Sequence, residues 1–294
     1  MLTTLILSVA ALAAKPTTSF EAPSRFIDGA GYQVSVTIEV PDKGAEVPAW
    51  MLSPAAFTID GKPLGDRKNK ADLGIAPGAT LTMTFDLAAQ IKAAKGYAGK
   101  DFKLGFEGAE AAEVVVAKAA SEDTDFLTMA VEDLAKYQVV MTTNRGDMVI
   151  EFWPEAAPEH VRNYLDLCKI KFYDGLTFHR VIPGFMIQGG DPQGNGAGNG
   201  PRTLQGEFST DPQYKHVRGV LSMARSADPN SASCQFFVMH QTAPHLDGSY
   251  SAFGKCVDGL ETLDRIISAP RDMQTNKPNE PQRILRAIVI QTAE

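Results

Sequence analysis

The stretch of this 294-residue sequence that is richest in usable chemistry runs Phe178-His179-Arg180-Val181-Ile182-Pro183-Gly184-Phe185-Met186-Ile187-Gln188-Gly189-Gly190-Asp191-Pro192. Alternation places Phe178, Arg180 and Ile182 on one strand face. Pro183-Gly184 then turns the chain into a second strand, with Phe185 and Ile187 on one side and Met186 and Gln188 on the other. Taken alone, Arg180 reads as a salt-bridging residue, and Phe185, Met186 and Phe237 read as core. Familiar catalytic patterns are absent: there is no H-E-x-x-H, no G-x-S-x-G and no G-x-x-x-x-G-K-[ST]. The histidines at 160, 179, 216, 240 and 245 show no metal-ligand spacing. In Gly194-Asn195-Gly196-Ala197-Gly198-Asn199-Gly200 the last glycine of a dinucleotide fingerprint falls on Asn199, and Pro201-Arg202 follow instead of an apolar helix. That run reads as a surface loop between strands.

The elements that must position these residues can be read from periodicity. Tyr137 to Thr143, Asn144-Arg145-Gly146-Asp147 and Met148 to Phe152 make strand, turn, strand. Ala157 to Cys168 follows, with an early proline and apolar residues at 161, 164, 165 and 168, which is one face of an amphipathic helix. Upstream, residues 20–118 alternate short β-like runs with turn clusters. The strand candidates are Tyr32–Val40, Ala56–Ile59, Leu81–Leu87, Phe102–Phe106 and Glu113–Ala117, with one helical insert at Ala88–Lys95. This spacing suggests a small β-sandwich-like domain. Residues 119–136, with the acidic cluster Ser121-Glu122-Asp123-Thr124-Asp125 and a short helix from Phe126 to Leu134, read as a linker.

Several further blocks follow the 173–191 stretch in order: Gly219-Val220-Leu221-Ser222-Met223-Ala224, Asn230-Ser231-Ala232-Ser233-Cys234-Gln235-Phe236-Phe237, His245-Leu246-Asp247-Gly248 and Phe253-Gly254-Lys255. Through them, residues 137–292 resemble the cyclophilin-type peptidyl-prolyl cis-trans isomerases. The resemblance implies a mainly β chain whose C-terminal part is an eight-stranded antiparallel barrel closed by two helices, near 157–168 and 260–266. It assigns catalysis to Arg180, with Phe185 and Gln188, and the proline pocket to Phe185, Met186, Phe237 and Leu246. Polar substrate contacts fall on Gln188 and Gln235, and backbone contacts near Ala224 and Arg225. At the rim the best-known eukaryotic member has tryptophan and histidine where this chain has His245 and Tyr250, so weak binding of cyclosporin-like inhibitors with retained activity is expected.

The reaction so implied is rotation about an X-Pro bond, against a barrier of ~18–20 kcal/mol. In the twisted transition state the amide nitrogen pyramidalises and its lone pair becomes an acceptor. A guanidinium beside the proline can donate to it without transferring a proton. No metal, nucleotide, other cofactor or covalent intermediate is called for. The alternative reading is a proline-binding adaptor or holdase with little turnover, its partner chosen by the N-terminal domain. A carbohydrate or envelope role for residues 20–118 rests on fold analogy alone.

Composition sets the remaining bounds. Hydrophobic residues make up 44% and charged residues 21%, so collagenous, coiled-coil and disordered classes are out. A net charge of −7 with no basic block argues against a nucleic-acid partner. Cys168, Cys234 and Cys256 cannot build a disulfide framework and read as small buried apolar residues. Leu2 to Ala14 is an uncharged run too short to span a bilayer, and Ala11-Leu12-Ala13 offers a cleavage site. Residues 1–14 are therefore expected to be a signal peptide. The expected product is an exported, periplasmic or extracellular isomerase acting on unfolded or partly folded chains with exposed X-Pro bonds.

Overall fold

In a computed structural model of the chain, residues 15–67, 71–94, 97 and 99–292 are described. The expected signal peptide, residues 1–14, lies outside them. The chain divides into two compact units after Val116.

In the first unit, Thr17–Glu21, Gln33–Glu39 and Thr80–Asp86 form a three-stranded antiparallel sheet. Val34, Val36 and Ile38 are fully buried while Ser35 and Thr37 between them are not, as a strand with one wet face requires. Phe57–Ile59, Phe102–Phe106 and the start of Ala112–Ala119 pair in a second sheet. One core joins the two sheets, with Phe57 5.6 Å from Phe85 of the first sheet and 5.0 Å from Phe106 beside it. The helical insert covers Ala88–Ala93. Five strands were not foreseen: Thr17–Glu21, Arg25–Ile27, Ala45–Pro48, Lys62–Pro63 and Asp72–Ile75. They are short, polar or interrupted, and their pairing partners rather than their own alternation hold them.

The second unit contains eight strands: β1 (Tyr137–Thr143), β2 (Gly146–Phe152), β3 (Arg180–Ile182), β4 (Met186–Gly189), β5 (Val220–Met223), β6 (Phe236–Met239), β7 (Ala252–Asp258) and β8 (Ile284–Gln291). Their order is β3-β4-β6-β5-β7-β2-β1-β8, every pairing antiparallel. The two ends of this run meet just before β3. There Phe178 N–H donates to Gln282 O, Ile284 N–H to Leu176 O and Gly175 N–H to Ile284 O. The result is a barrel. Helices α1 (Pro158–Lys169) and α2 (Leu260–Ile267) bury Val161, Tyr164, Leu165, Leu263 and Ile266 against its core. Gly146, with φ +121°, makes the β1–β2 turn; a side chain there would meet Thr262 Oγ1 at 2.6 Å.

The segment expected as a linker is packed onto this unit. Phe126 and Leu134 are fully buried in its core, and Lys118 and Ala119 pair with Gln291 and Ile290 of β8. Lys169 Nζ donates to Thr124 O at 2.5 Å, and Arg162 donates to Met129 O. The acidic cluster marks only the polar surface of a stretch that buries Phe126 and Leu134 fully and packs Ala120 and Met129 beside them. Its helix shrinks to a single turn, Val131–Leu134.

Candidate active site

Cross-strand registry builds the site row by row on the outer face of β3, β4 and β6. Arg180 stands opposite Gln188, and Gln188 opposite Phe237; in the next row on that face Ile182, Met186 and Met239 align. Between them the row of Val181, Ile187 and Val238 faces the barrel core. Two predicted faces need correction. Phe178 does not share the Arg180 face: it precedes the strand and packs in the core against Phe236, ring centres 6.2 Å apart. Phe185 does not share the Ile187 face: it closes a Pro183-Gly184 turn, where alternation does not hold, and packs with Met186 in the outer cluster.

The polar edge of the site is a ladder of side chains. Arg180 Nη1 donates to Gln188 Oε1 at 3.3 Å, and Gln188 Nε2 donates to Gln235 Oε1 at 3.0 Å. Gln235 Nε2 in turn donates to Gly196 O and Gly198 O at 3.0 and 2.9 Å. Among the described residues no carboxylate pairs with Arg180. The glycine-rich loop at the end of the ladder is organised by buried Asp191, whose carboxylate accepts from the backbone N–H groups of Gln193, Asn195 and Gly196 at 2.8, 2.9 and 2.5 Å. Burial pushes the Asp191 carboxyl up, but these three donors outweigh it and hold it below the ordinary range. A side chain at Gly198 would meet Asp191 Oδ1 at 2.0 Å, so the close approach demands glycine there.

Beside the ladder lies an apolar recess. Met186, Phe237, Met239 and Leu246 are buried in one cluster, with Phe185, Ala224 and Tyr250 packed against it. His245 stacks on Phe185 at 5.7 Å, and Tyr250 meets Phe237 edge-on at 5.8 Å. Arg225 lies 4.5 Å above the Tyr250 ring, and its Nε and Nη2 donate to Ser249 O at 3.1 and 2.9 Å. Its side chain, and not only its backbone, therefore shapes the rim. Ala224 N–H is already donated to Gln235 O at 2.8 Å. A cleft of about 310 Å³ continues from Gln188 and Gln235 past Ala224 and Arg225 to Ser226 and Ser231.

All eleven residues singled out in the sequence thus gather in this recess, its ladder and its rim. Others were missed. His216, almost fully buried, stacks under Phe237 at 6.1 Å, with Nδ1 2.9 Å from Asp247 Oδ1 and Nε2 3.0 Å from Ser222 Oγ. Burial pushes this imidazole down, against the pull of Asp247. Ile182, Trp153 and Tyr214 also join the cluster. No spacing rule connects residues 153, 214 and 216 to 237; only the tertiary fold does. The cysteines are free and buried, and burial pushes the thiols of Cys234 and Cys256 up to about 11 and about 12.

A guanidinium and two carboxamides edging an apolar recess on the outside of an eight-stranded barrel define a cyclophilin. The sequence profile of the family described as cyclophilin type peptidyl-prolyl cis-trans isomerase/CLD matches residues 138–289. Peptidyl-prolyl cis-trans isomerase-like 3 of Gallus gallus is 44% identical over 144 residues, 48% of this chain and 88% of that protein. A probable peptidyl-prolyl cis-trans isomerase of Brucella abortus is 37% identical over 164 residues, 51% of this chain and 81% of that protein. A crystal structure of a Cryptosporidium parvum cyclophilin superposes with a TM-score of 0.50 at 36% identity, covering 54% of this chain and 99% of the other. The chain belongs to the cyclophilin-type peptidyl-prolyl cis-trans isomerase family, and it is an enzyme of that class.

Proposed function

We propose that this isomerase accelerates X-Pro isomerisation in exported proteins, with Arg180 donating to the twisted amide nitrogen while Phe185, Met186, Phe237 and Leu246 hold the proline ring. The observation that carries this reading is the position of Arg180: a guanidinium steered by one carboxamide at the edge of an apolar recess, with no carboxylate partner among the described residues. A donor there is worth most when the amide nitrogen is pyramidal and least when it is planar, which is the condition for lowering a barrier. Gln188 and Gln235 hold the guanidinium in place and offer groups to the peptide flanking the proline. The cleft lined by Arg225, Ser226 and Ser231 takes a neighbouring substrate residue.

The test is cis-trans exchange on an Ala-Pro peptide with wild type and Arg180→Ala. A large loss of turnover at unchanged far-ultraviolet circular dichroism supports the assignment; equal rates reject it. Export rests on the uncharged Leu2–Ala14 run. It predicts that protein recovered from outside the cytoplasm starts shortly after Ala13; retention inside the cell with an intact amino terminus overturns it.

A further inference from the structure

The residue that places Phe185 is on another strand's exit. Ile182, Pro183, Gly184 and Phe185 form a β-turn, closed by Phe185 N–H donating to Ile182 O at 3.0 Å, and Gly184 has φ +78°. Proline second and a left-handed glycine third are the marks of a type II turn. Such a turn differs from type I by the orientation of its central peptide, here the Pro183–Gly184 bond. That peptide's N–H donates to Nδ1 of His240 at 3.0 Å. His240 backbone N–H donates in turn to Phe185 O at 2.8 Å. One residue therefore grips the turn at both ends of the Gly184-Phe185 step, and the ring on that step stacks on His245 in the recess.

The side-chain contact has a chemical condition. An imidazole nitrogen accepts a hydrogen bond only while it carries no proton, so Nδ1 can hold Gly184 N–H only in the neutral ring with its hydrogen on Nε2. That hydrogen faces Asp264 Oδ1 of α2 at 3.6 Å. The charged groups around the ring are this Asp264 and Arg218. Arg218 holds Asp264 through Nη2 at 2.7 and 2.8 Å and donates through Nη1 to His240 O at 3.2 Å. A proton arriving on Nδ1 would set N–H against N–H, release the central peptide and open the way to its flipped orientation.

We propose that His240 is a positioning residue for the isomerase reaction: its unprotonated Nδ1 fixes the Pro183–Gly184 peptide, and through it the Phe185 ring, so turnover falls when this imidazole gains a proton. The proposal rests on the recess being the proline site, and its test separates the two ideas. Exchange rates on an Ala-Pro peptide are measured from about pH 8 to about pH 5 for wild type, His240→Asn, whose amide oxygen accepts without titrating, and His240→Leu, which cannot accept. The Gly184 amide resonance of ¹⁵N-labelled protein is followed over the same range.

Wild type should lose about three- to tenfold in kcat/KM towards the acid end, in step with a shift of the Gly184 amide. His240→Asn should keep the neutral-pH rate within about twofold and lack that component of the fall. His240→Leu should be low already at neutral pH, with unchanged thermal midpoint showing that it has folded. Three other histidines line the site region, His179, His216 and His245, so the diagnostic is the difference between wild type and His240→Asn. An identical acid fall in both, or a Gly184 amide indifferent to pH in wild type, overturns the proposal. If wild type itself has no isomerase activity, the site reading fails, and the Gly184 titration still decides whether His240 governs the turn.

Discussion

The two faces of β3, β4 and β6 carry much the same kind of side chain and do different work. Inward, Val181, Ile187, Val238 and Phe236 are sealed in the barrel core. Outward, Met186, Phe237 and Met239 are nearly as well buried, yet their row is bordered by Arg180, Gln188 and Gln235, two of which, Gln188 and Gln235, line the neighbouring cleft. An apolar surface enclosed by other apolar groups stabilises; one bordered by polar groups beside a cleft can also bind. The lesson is that burial alone does not separate a pocket from a core. What separates them is the polar ladder at the edge, where Arg180 has no carboxylate partner among the described residues.

The comparison can be broken most directly at its charged edge. Arg180→Ala should lower kcat/KM by about 10- to 100-fold, the worth of a charge-assisted hydrogen bond made only in the transition state, with no change in thermal midpoint. A matching loss of stability would mean the arginine belongs to the structure and not to the reaction.

The adjacent phenylalanines give the sharpest contrast. Phe236→Ala, facing the core, should cost about 3–5 kcal/mol in denaturant unfolding. The Phe237→Ala variant should lose less stability and should weaken turnover of whatever protein is folded. If the two variants are indistinguishable by both measures, the faces are not functionally distinct.

A smaller effect is expected along the ladder. Gln235→Ala frees Gly196 O and Gly198 O and lets Gln188 turn away from Arg180, which should reduce kcat/KM about three- to tenfold while the barrel unfolds at the same denaturant concentration.

The smallest effect concerns pH and the loop that anchors the ladder. The folded Asp191 carboxyl titrates below its ordinary value, so its contribution to stability is present above about pH 4 and is lost as pH falls through the folded value. Asp191→Asn should flatten that acid limb in urea midpoints measured between about pH 5 and pH 2. An unaltered limb would assign the acid sensitivity to other carboxylates, Glu207 first. Glu207 is also held low, because hydrogen bonds from His160 and from the Glu159 and His160 backbone outweigh its burial.

Much of this was legible beforehand where period and punctuation agree. The β1–β2 hairpin, α1 and the strand at Phe102–Phe106 follow their patterns to within a residue or two, and α2 falls where the family resemblance implies it. Alternation failed where the backbone is not strand. Phe178 lies before β3 and Phe185 in a turn, and both sit on faces opposite to the ones counted. The stretch 119–136 packs on the barrel through Phe126, Met129 and Leu134, although its polar lead-in reads as a linker.

What the sequence determined by itself is the set of chemical groups and their order: one arginine, two glutamines, a recess of Phe185, Met186, Phe237 and Leu246, and the blocks that identify the family. These survive in one dimension because the ordered blocks that carry the family resemblance are local runs of residue types; by alternation alone Phe185, Met186 and Phe237 read as core. The tertiary structure decided which neighbours those groups acquired. His216 beneath Phe237, His240 on the Gly184 amide and Arg225 over Tyr250 are contacts between residues 21 to 56 positions apart. Such contacts depend on barrel closure and strand register, and no local pattern encodes the register between strands that meet only after the chain has folded.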